Sequence, residues 1–380
     1  MWLLFLVTLV YTGIAHNDTI CIPERSYGFI RYPIVDLFMC AEQVKKELPA
    51  SAKNYTACPR VNQGLFNEVF EIDFYSSHVC SIIIPWAIYG YNAQGQPQNR
   101  YWIARKDLIL LSDLPSNKLN LLPQFHNQEK IISIKQPFIS SSGTIYSVGT
   151  CFVYTNQDKS SVTLKYLNSD TLAIEYQPIA RDHCIFYDEN SLVDRRRLFV
   201  QLITGLVDAL QNNDIANTIP YVWGGSGFTR GYCAGYHNIN GRFYRIDQKS
   251  TESIGGYDCS NLVLRFAHMA NLPYFFKTTA MLEKYGKKFK ATNVLEEGDL
   301  IWLEGHVAII TDLDNKLITE SCGYENGVGK VRTIKLGEFL KDIQSWQDLL
   351  DAHFHSKKVI RLDVHGTAYK ESLIKIFKLF

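Results

Sequence analysis

Between residue 20 and about residue 115 the apolar positions come in short runs divided by Gly, Pro and Asn. Glu68 to Phe74, Cys80 to Trp86 and Tyr101 to Leu111 are such runs, and each predicts a β-strand. The pattern returns between Lys130 and Ile185, at Ile131 to Ile134, Thr144 to Tyr154, Val162 to Leu167 and Thr171 to Tyr176. Two small all-β modules, over 20–115 and 125–185, account for this half of the chain. It contains no strict internal repeat and no low-complexity tract.

The period changes near Ser191. Leu198, Phe199, Leu202, Ile203, Leu206, Val207 and Leu210 recur at helical spacing, and Asn212, Asn213 and Asp214 end that helix. A second helical set follows Cys259, at Leu262, Val263, Phe266, Ala267 and Ala270. Strand patterns come next, at Asp299 to Leu303, His306 to Thr311, Lys316 to Glu320, Val331 to Ile334 and Val359 to Leu362. Helices first and antiparallel strands afterwards, over 191–365, describe an α+β domain. In the tail, 366–380, Tyr369, Leu373, Ile376, Phe377 and Phe380 share one helical face, which predicts a C-terminal helix docked on the protein.

Composition narrows the class. The chain has 380 residues, enough for two or three domains, and 13% aromatic against 20% charged residues is a mix that builds cores. The formal net charge is +1 and no block of Lys or Arg stands out, so nothing asks for nucleic acid or an anionic membrane. Met1 to Ala15 is almost wholly apolar, with Gly13 and Ala15 where a signal peptidase needs small residues. It is short for a spanning helix and lacks a leading Lys or Arg; a cleaved signal peptide over 1–15 and an exported protein, periplasmic or secreted, are expected. Nine cysteines, an odd number, in an exported chain predict disulfides plus one free thiol. No CxxC pair occurs, and Cys233 and His237 have no partner ligands at useful spacing, so no metal or other cofactor is expected.

Three short segments carry chemistry: Tyr221-Val222-Trp223-Gly224-Gly225, then Gly256-Tyr257-Asp258-Cys259-Ser260 opening a helix, then Gly298-Asp299-Leu300 with Gly305-His306-Val307-Ala308-Ile309. A cysteine at a helix N-terminus meets the positive end of the dipole and unpaired N–H groups, which favour the thiolate. A histidine at the start of an apolar strand needs a reason to be there, and its ring needs a third polar group to fix one tautomer. Strand pairing across the turn at Asp312 to Asn315 brings either Glu320 or Thr319 beside His306; alternation allows only one of them.

Jointly and in this order, these segments resemble the motif set of the NlpC/p60 family of cell-wall cysteine peptidases, over residues 195 to 340. The resemblance implies a stripped papain-like α+β core, with Cys259 as nucleophile and His306 as base. It implies Glu320 as the third catalytic residue, with Thr319 the alternate, and Tyr221 at the oxyanion. Trp223, Asp258 and Ser260 are implied substrate contacts. In relatives with SH3-like modules the matching Asp and Ser receive the free amine of the stem peptide, so Asp258 and Ser260 are expected to bind one. The front half then resembles one or two bacterial SH3-like barrels. The implied reaction is hydrolysis of peptidoglycan stem peptides or muropeptides at the γ-D-glutamyl to diamino-acid bond, with no stable membrane span. A related amidase or acyltransferase, and an inactive wall-binding module, are the competing readings. The chain departs from the family in a long insert, 226–257, and in Asn261, where Gly is common.

Overall fold

The computed structural model describes residues 27–44, 60–125, 130–187, 192–210, 219–229, 236–239, 242–245, 255–323 and 328–380. The expected signal peptide, Cys21, Cys58 and Cys233 lie outside the described residues.

The front half folds as two antiparallel sheets. The first uses β1 (Tyr27–Ile30), β2 (Ile34–Phe38), β3 (Arg60–Leu65), β4 (Val69–Tyr75), β5 (Val79–Ile83), β6 (Arg100–Ala104) and β7 (Leu108–Leu110), in the order β3-β2-β6-β5-β4-β1-β7. The run Tyr101 to Leu111 is thus two strands, divided by a 3-10 turn at Arg105–Asp107. The second sheet uses β8 (Ile131–Ile134), β9 (Cys151–Gln157), β10 (Ser161–Leu167), β11 (Ile174–Ala180) and β12 (Cys184–Phe186), in the order β11-β10-β9-β8-β12. Its inner face joins an aromatic cluster: Phe152 and Tyr166 of the sheet meet Phe66, Phe138 and Tyr146, edge-on or tilted except for the stacked Phe138–Tyr146 pair.

The rest is a helix-and-sheet layer. Helix α1 spans Leu192–Leu210, α2 Cys259–Met269, α3 Thr279–Tyr285 and α4 Trp346–Phe354. Short strands β13 (Ser226–Gly227) and β14 (Gly256–Tyr257) pair with each other. A further sheet joins β15 (Leu300–Leu303), β16 (His306–Asp312), β17 (Leu317–Cys322), β18 (Lys330–Lys335), β19 (Lys358–Leu362) and β20 (Ala368–Lys378). Strand β20 lies between β15 and the edge strand Lys287–Lys288, and β16, β17 and β18 follow in order on the far side of β15.

The tail therefore corrects the expected C-terminal helix: Ala368–Lys378 is a strand. Its apolar residues fit both periods, but Ile374 and Ile376 are fully buried in the sheet's outer core while Phe377 faces the helices. As a helix it would leave the β15 backbone edge unpaired, and that tertiary demand outweighs local pattern.

Helix α2 has almost no exposed face, as expected of a helix sandwiched between layers. One core contains Ile30, Leu37 and Ile82 of the front sheet together with Val263 and Phe266 of α2 and Leu300 and Ile309 of the rear sheet. Arg265, 1% exposed, ties the two halves: it donates to Glu68, to the carbonyls of Gln63 and Ser226, and lies over the Trp86 ring. The front sheet thus packs directly on the helix-and-sheet layer.

Candidate active site

Helix α2 begins where a polar cap meets an apolar run. Asp258 is its N-cap, in extended conformation, and its Oδ1 accepts from the Asn261 N–H at 2.6 Å. Cys259 is therefore the first helical residue, and α2 packs on β16. The N–H of Val307, the residue after His306, donates to Cys259 Sγ. This contact brings the candidate nucleophile to the start of β16.

Register decides what stands beside His306. In the β16–β17 hairpin Ala308 faces Glu320 and Ile309 faces Thr319. Even-numbered residues of the two strands share a face there, so Glu320 and His306 lie together. His306 Nε2 and Glu320 Oε2 are 2.6 Å apart. Thr319 points to the other face, where its hydroxyl bonds those of Thr311 and Thr333 at 3.2 and 2.8 Å.

Glu320 is fully buried and heavily compensated. Arg332 Nε donates to Oε1 at 2.8 Å, its Nη2 stands 2.7 Å from the same oxygen, and Arg361 Nη2 lies 3.8 Å from Oε2. Burial by itself would raise the Glu320 pKa; His306, Arg332 and Arg361 together bring it down to about 2. Burial and then Arg361 hold the His306 imidazole below its usual value, against the opposing pull of Glu320. The resting pair is a carboxylate and a neutral ring.

Cys259 departs from expectation. Its thiol pKa is pushed up to about 12, first by burial and then by the adjacent Asp258 charge; the Val307 N–H, Lys277 and Arg361 oppose this without prevailing. Cys259 is 8% exposed, so loss of hydration outweighs what a helix N-terminus supplies. The resting group is a thiol, where the sequence suggested a thiolate.

The Trp-Gly-Gly loop is fastened from the front sheet. Arg60 Nε donates to the Trp223 carbonyl at 2.8 Å, and Arg60 is itself paired with Asp36. Gly224 has φ +67°, and a Cβ there would stand 2.7 Å from the Arg60 carbonyl, so glycine is required twice over. Its N–H donates to Asp258 Oδ2 at 3.0 Å. Trp223 is 40% exposed, the most open of the site residues. Tyr221 is buried and bridges Tyr257, two residues before Cys259. Ser260 donates its hydroxyl to Asp258 Oδ1 at 3.0 Å.

Tyr221, Trp223, Asp258, Cys259, Ser260, His306 and Glu320 are thus drawn into one region, and Thr319 is turned away. Three cations, buried Arg361 and Lys277 and part-buried Arg332, went unseen in the sequence. Arg332 and Arg361 hold Glu320, and Lys277 Nζ lies 3.4 Å from Asp258 Oδ2. Arg332 stands directly opposite Glu320 in the β17–β18 register, a signal that strand pairing alone offered. Arg361 and Lys277 had none.

The expected disulfides are corrected among the described residues: Cys40, Cys80, Cys151, Cys184, Cys259 and Cys322 are all free thiols. Cys80 lies within the first core and Cys184 in the second, inside apolar surroundings. No helix among the described residues is long and apolar enough to cross a membrane, and no group of three or more metal-binding side chains occurs among them.

No family sequence model and no curated protein matches the chain. Solved structures do. An NlpC/P60 family protein from Bacillus cereus ATCC 10987 matches with a TM-score of 0.50 at 14% identity, over 82% of this chain and 94% of that one. NlpC2 from Trichomonas vaginalis covers the same shares at 12% identity with a TM-score of 0.32. An NlpC/P60 endopeptidase from Photobacterium damselae subsp. piscicida matches 97% of this chain and 70% of its own at 8% identity, TM-score 0.38. The chain has an NlpC/P60-type fold.

Proposed function

We propose that this chain is an exported cysteine endopeptidase that hydrolyses peptidoglycan stem peptides at the γ-D-glutamyl to diamino-acid bond. The observation that carries the reading is one juxtaposition: Cys259 at the start of α2, against the Val307 N–H, beside a His306–Glu320 pair at 2.6 Å. The α2–β16–β17 unit is read as a papain-like core, and the two front sheets as SH3-like modules that wall one end of the cleft.

Glu320 engages Nε2 and so leaves Nδ1 to face the thiol. As the Cys259 sulfur attacks the scissile carbonyl carbon, its proton passes to Nδ1. The carbonyl oxygen gains the negative charge, and the Cys259 backbone N–H at the helix start and the Tyr221 hydroxyl receive it. The imidazolium then protonates the departing amine, and a thioester remains. Water attacks the thioester with His306 as base, releasing the carboxylic acid and the thiol. Glu320 stays ionised throughout and steadies the imidazolium. Trp223 and Ser260 line the substrate side.

The test is mass spectrometry of muropeptides digested by the wild type and by Cys259→Ala. Free stem fragments cut before the diamino acid are expected with the wild type alone. Identical digests would remove the enzyme reading and leave a wall-binding module; a wild-type product joined to a second amine would make the chain an acyltransferase.

A further inference from the structure

The carboxylate next to the candidate nucleophile is already fully engaged. Asp258 receives the Gly224 N–H at 3.0 Å, the Ser260 hydroxyl at 3.0 Å, the Asn261 N–H at 2.6 Å and the Asn261 side-chain amide at 3.4 Å. The Lys277 ammonium adds a fifth contact at 3.4 Å. A carboxylate offers about four lone-pair directions, so these donors use them up. Asn261, where the family commonly has Gly, supplies two of them.

Lys277 is not a surface side chain resting against the site. It is 4% exposed and Asp258 is 7% exposed. Its backbone N–H donates to the Ile88 carbonyl and the Ile88 N–H donates to the Phe275 carbonyl, both at 2.9 Å, with Phe276 bridged to Ile88. The front half thus grips the segment that carries the lysine. A buried ammonium without a counter-charge would lose its proton, and Asp258 is the counter-charge. Among the described residues Asp258 is its side-chain partner, which leaves the ammonium donors to spare.

We infer that Lys277 fills, from within the chain, the position where Asp258 would otherwise receive a substrate's N-terminal ammonium, so that the cleft selects peptides whose N-terminus is acylated. A free-amine peptide would bring a second cation against Lys277, with no lone pair left to hold it. An acylated peptide brings a neutral amide, whose carbonyl can accept from the lysine's spare N–H groups. Lys277 is then a specificity-determining residue. The inference rests on the peptidase reading and reverses the free-amine requirement that the motif alone implies.

Two measurements test it. The first compares L-Ala-γ-D-Glu-diaminopimelate with its N-acetylated form. Wild type should cut the acetylated peptide faster, by about tenfold or more in kcat/KM, the equivalent of one pK unit of charge interaction. Lys277→Met should reverse the order, and ethylammonium should then inhibit cleavage of the free-amine peptide by competing for the vacated place. Faster cutting of the free-amine peptide by wild type would overturn the inference, whether or not the variant folds. The second measurement needs no substrate: chloroacetamide labelling of Cys259 followed by mass spectrometry. Lys277→Met should label several-fold more slowly than wild type, and ethylammonium should restore the rate in the variant alone. If wild type cuts neither peptide, the peptidase reading fails, and this labelling decides separately whether Lys277 is the cation that serves the site. Equal labelling with no amine effect would discard that role.

Discussion

Two buried carboxylates stand beside Cys259 and His306, and they are held in different ways. Asp258, beside Cys259, is fixed by backbone: it caps α2, takes the Gly224 N–H and needs one lysine to balance its charge. Glu320, beside His306, has no backbone donor among its described partners; it is held by the imidazole and two arginines from β18 and β19. The consequences are opposite. Asp258 opposes ionisation of the thiol next to it, whereas Glu320 favours a positive charge on the ring next to it. The same carboxylate that caps the helix thus raises the pKa of the thiol that follows it.

The comparison is broken most directly by deleting the pair that both carboxylates serve. Cys259→Ser and His306→Ala should each lower muropeptide turnover by about 100-fold or more, with circular dichroism unchanged. Activity retained by either variant would discard the assignment. Glu320→Ala should slow turnover less than His306→Ala, because it removes the group that orients the base and leaves the base itself. Its larger effect should be on stability: buried Arg361 and part-buried Arg332 lose their counter-charge, at about 3–5 kcal/mol by urea unfolding. Asp258→Ala loses a cap and also strips buried Lys277 of its counter-charge, so it should cost a comparable amount, about 3–5 kcal/mol. Thr319→Ala should cost about 1 kcal/mol and leave turnover unchanged, since it breaks a hydroxyl bond on the far face of β17.

Acid should weaken the His306–Glu320 side of the site. His306 and Glu320 both have folded pKa values below their unfolded ones. Each therefore contributes stability that is full above its unfolded pKa and is lost as pH falls through its folded pKa. For His306 the loss begins below about 6.5, and for Glu320 it runs from about 4.5 towards 2. Thermal melts from pH 8 to pH 4 should show stability falling, and His306→Gln should flatten the first part of that fall. A melting temperature that rises on acidification over this range would contradict a neutral buried imidazole.

The smallest expected effect concerns thiol labelling. Chloroacetamide at pH 7 should modify Cys259 more slowly than a free cysteine peptide, since the thiol is buried and its pKa is raised to about 12. Of the described cysteines, partly exposed Cys40 should label first. Rapid labelling of Cys259 would mean the thiolate is present at rest after all.

What the sequence determined by itself is local. The helix after Cys259 and the strand opening at His306 each depend on spacing within a few residues, where propensity and backbone freedom act directly. The hairpin narrowed the third residue to Glu320 or Thr319, but only the Ala308–Glu320 register chose between them, because slipping one residue turns every side chain to the other face. The tail carried both periods at once, and only the unpaired edge of β15 made it a strand. The thiol's protonation was set by burial, a property of everything packed round α2 and of no residue within it. The cations were least legible of all. Lys277 lies 19 residues from Asp258 and Arg361 comes from β19, and chain segments that far apart meet only when the layers close. Charge can be counted in a sequence, but the energy of two charges depends on their separation and on the water excluded between them, and both are fixed by the tertiary fold.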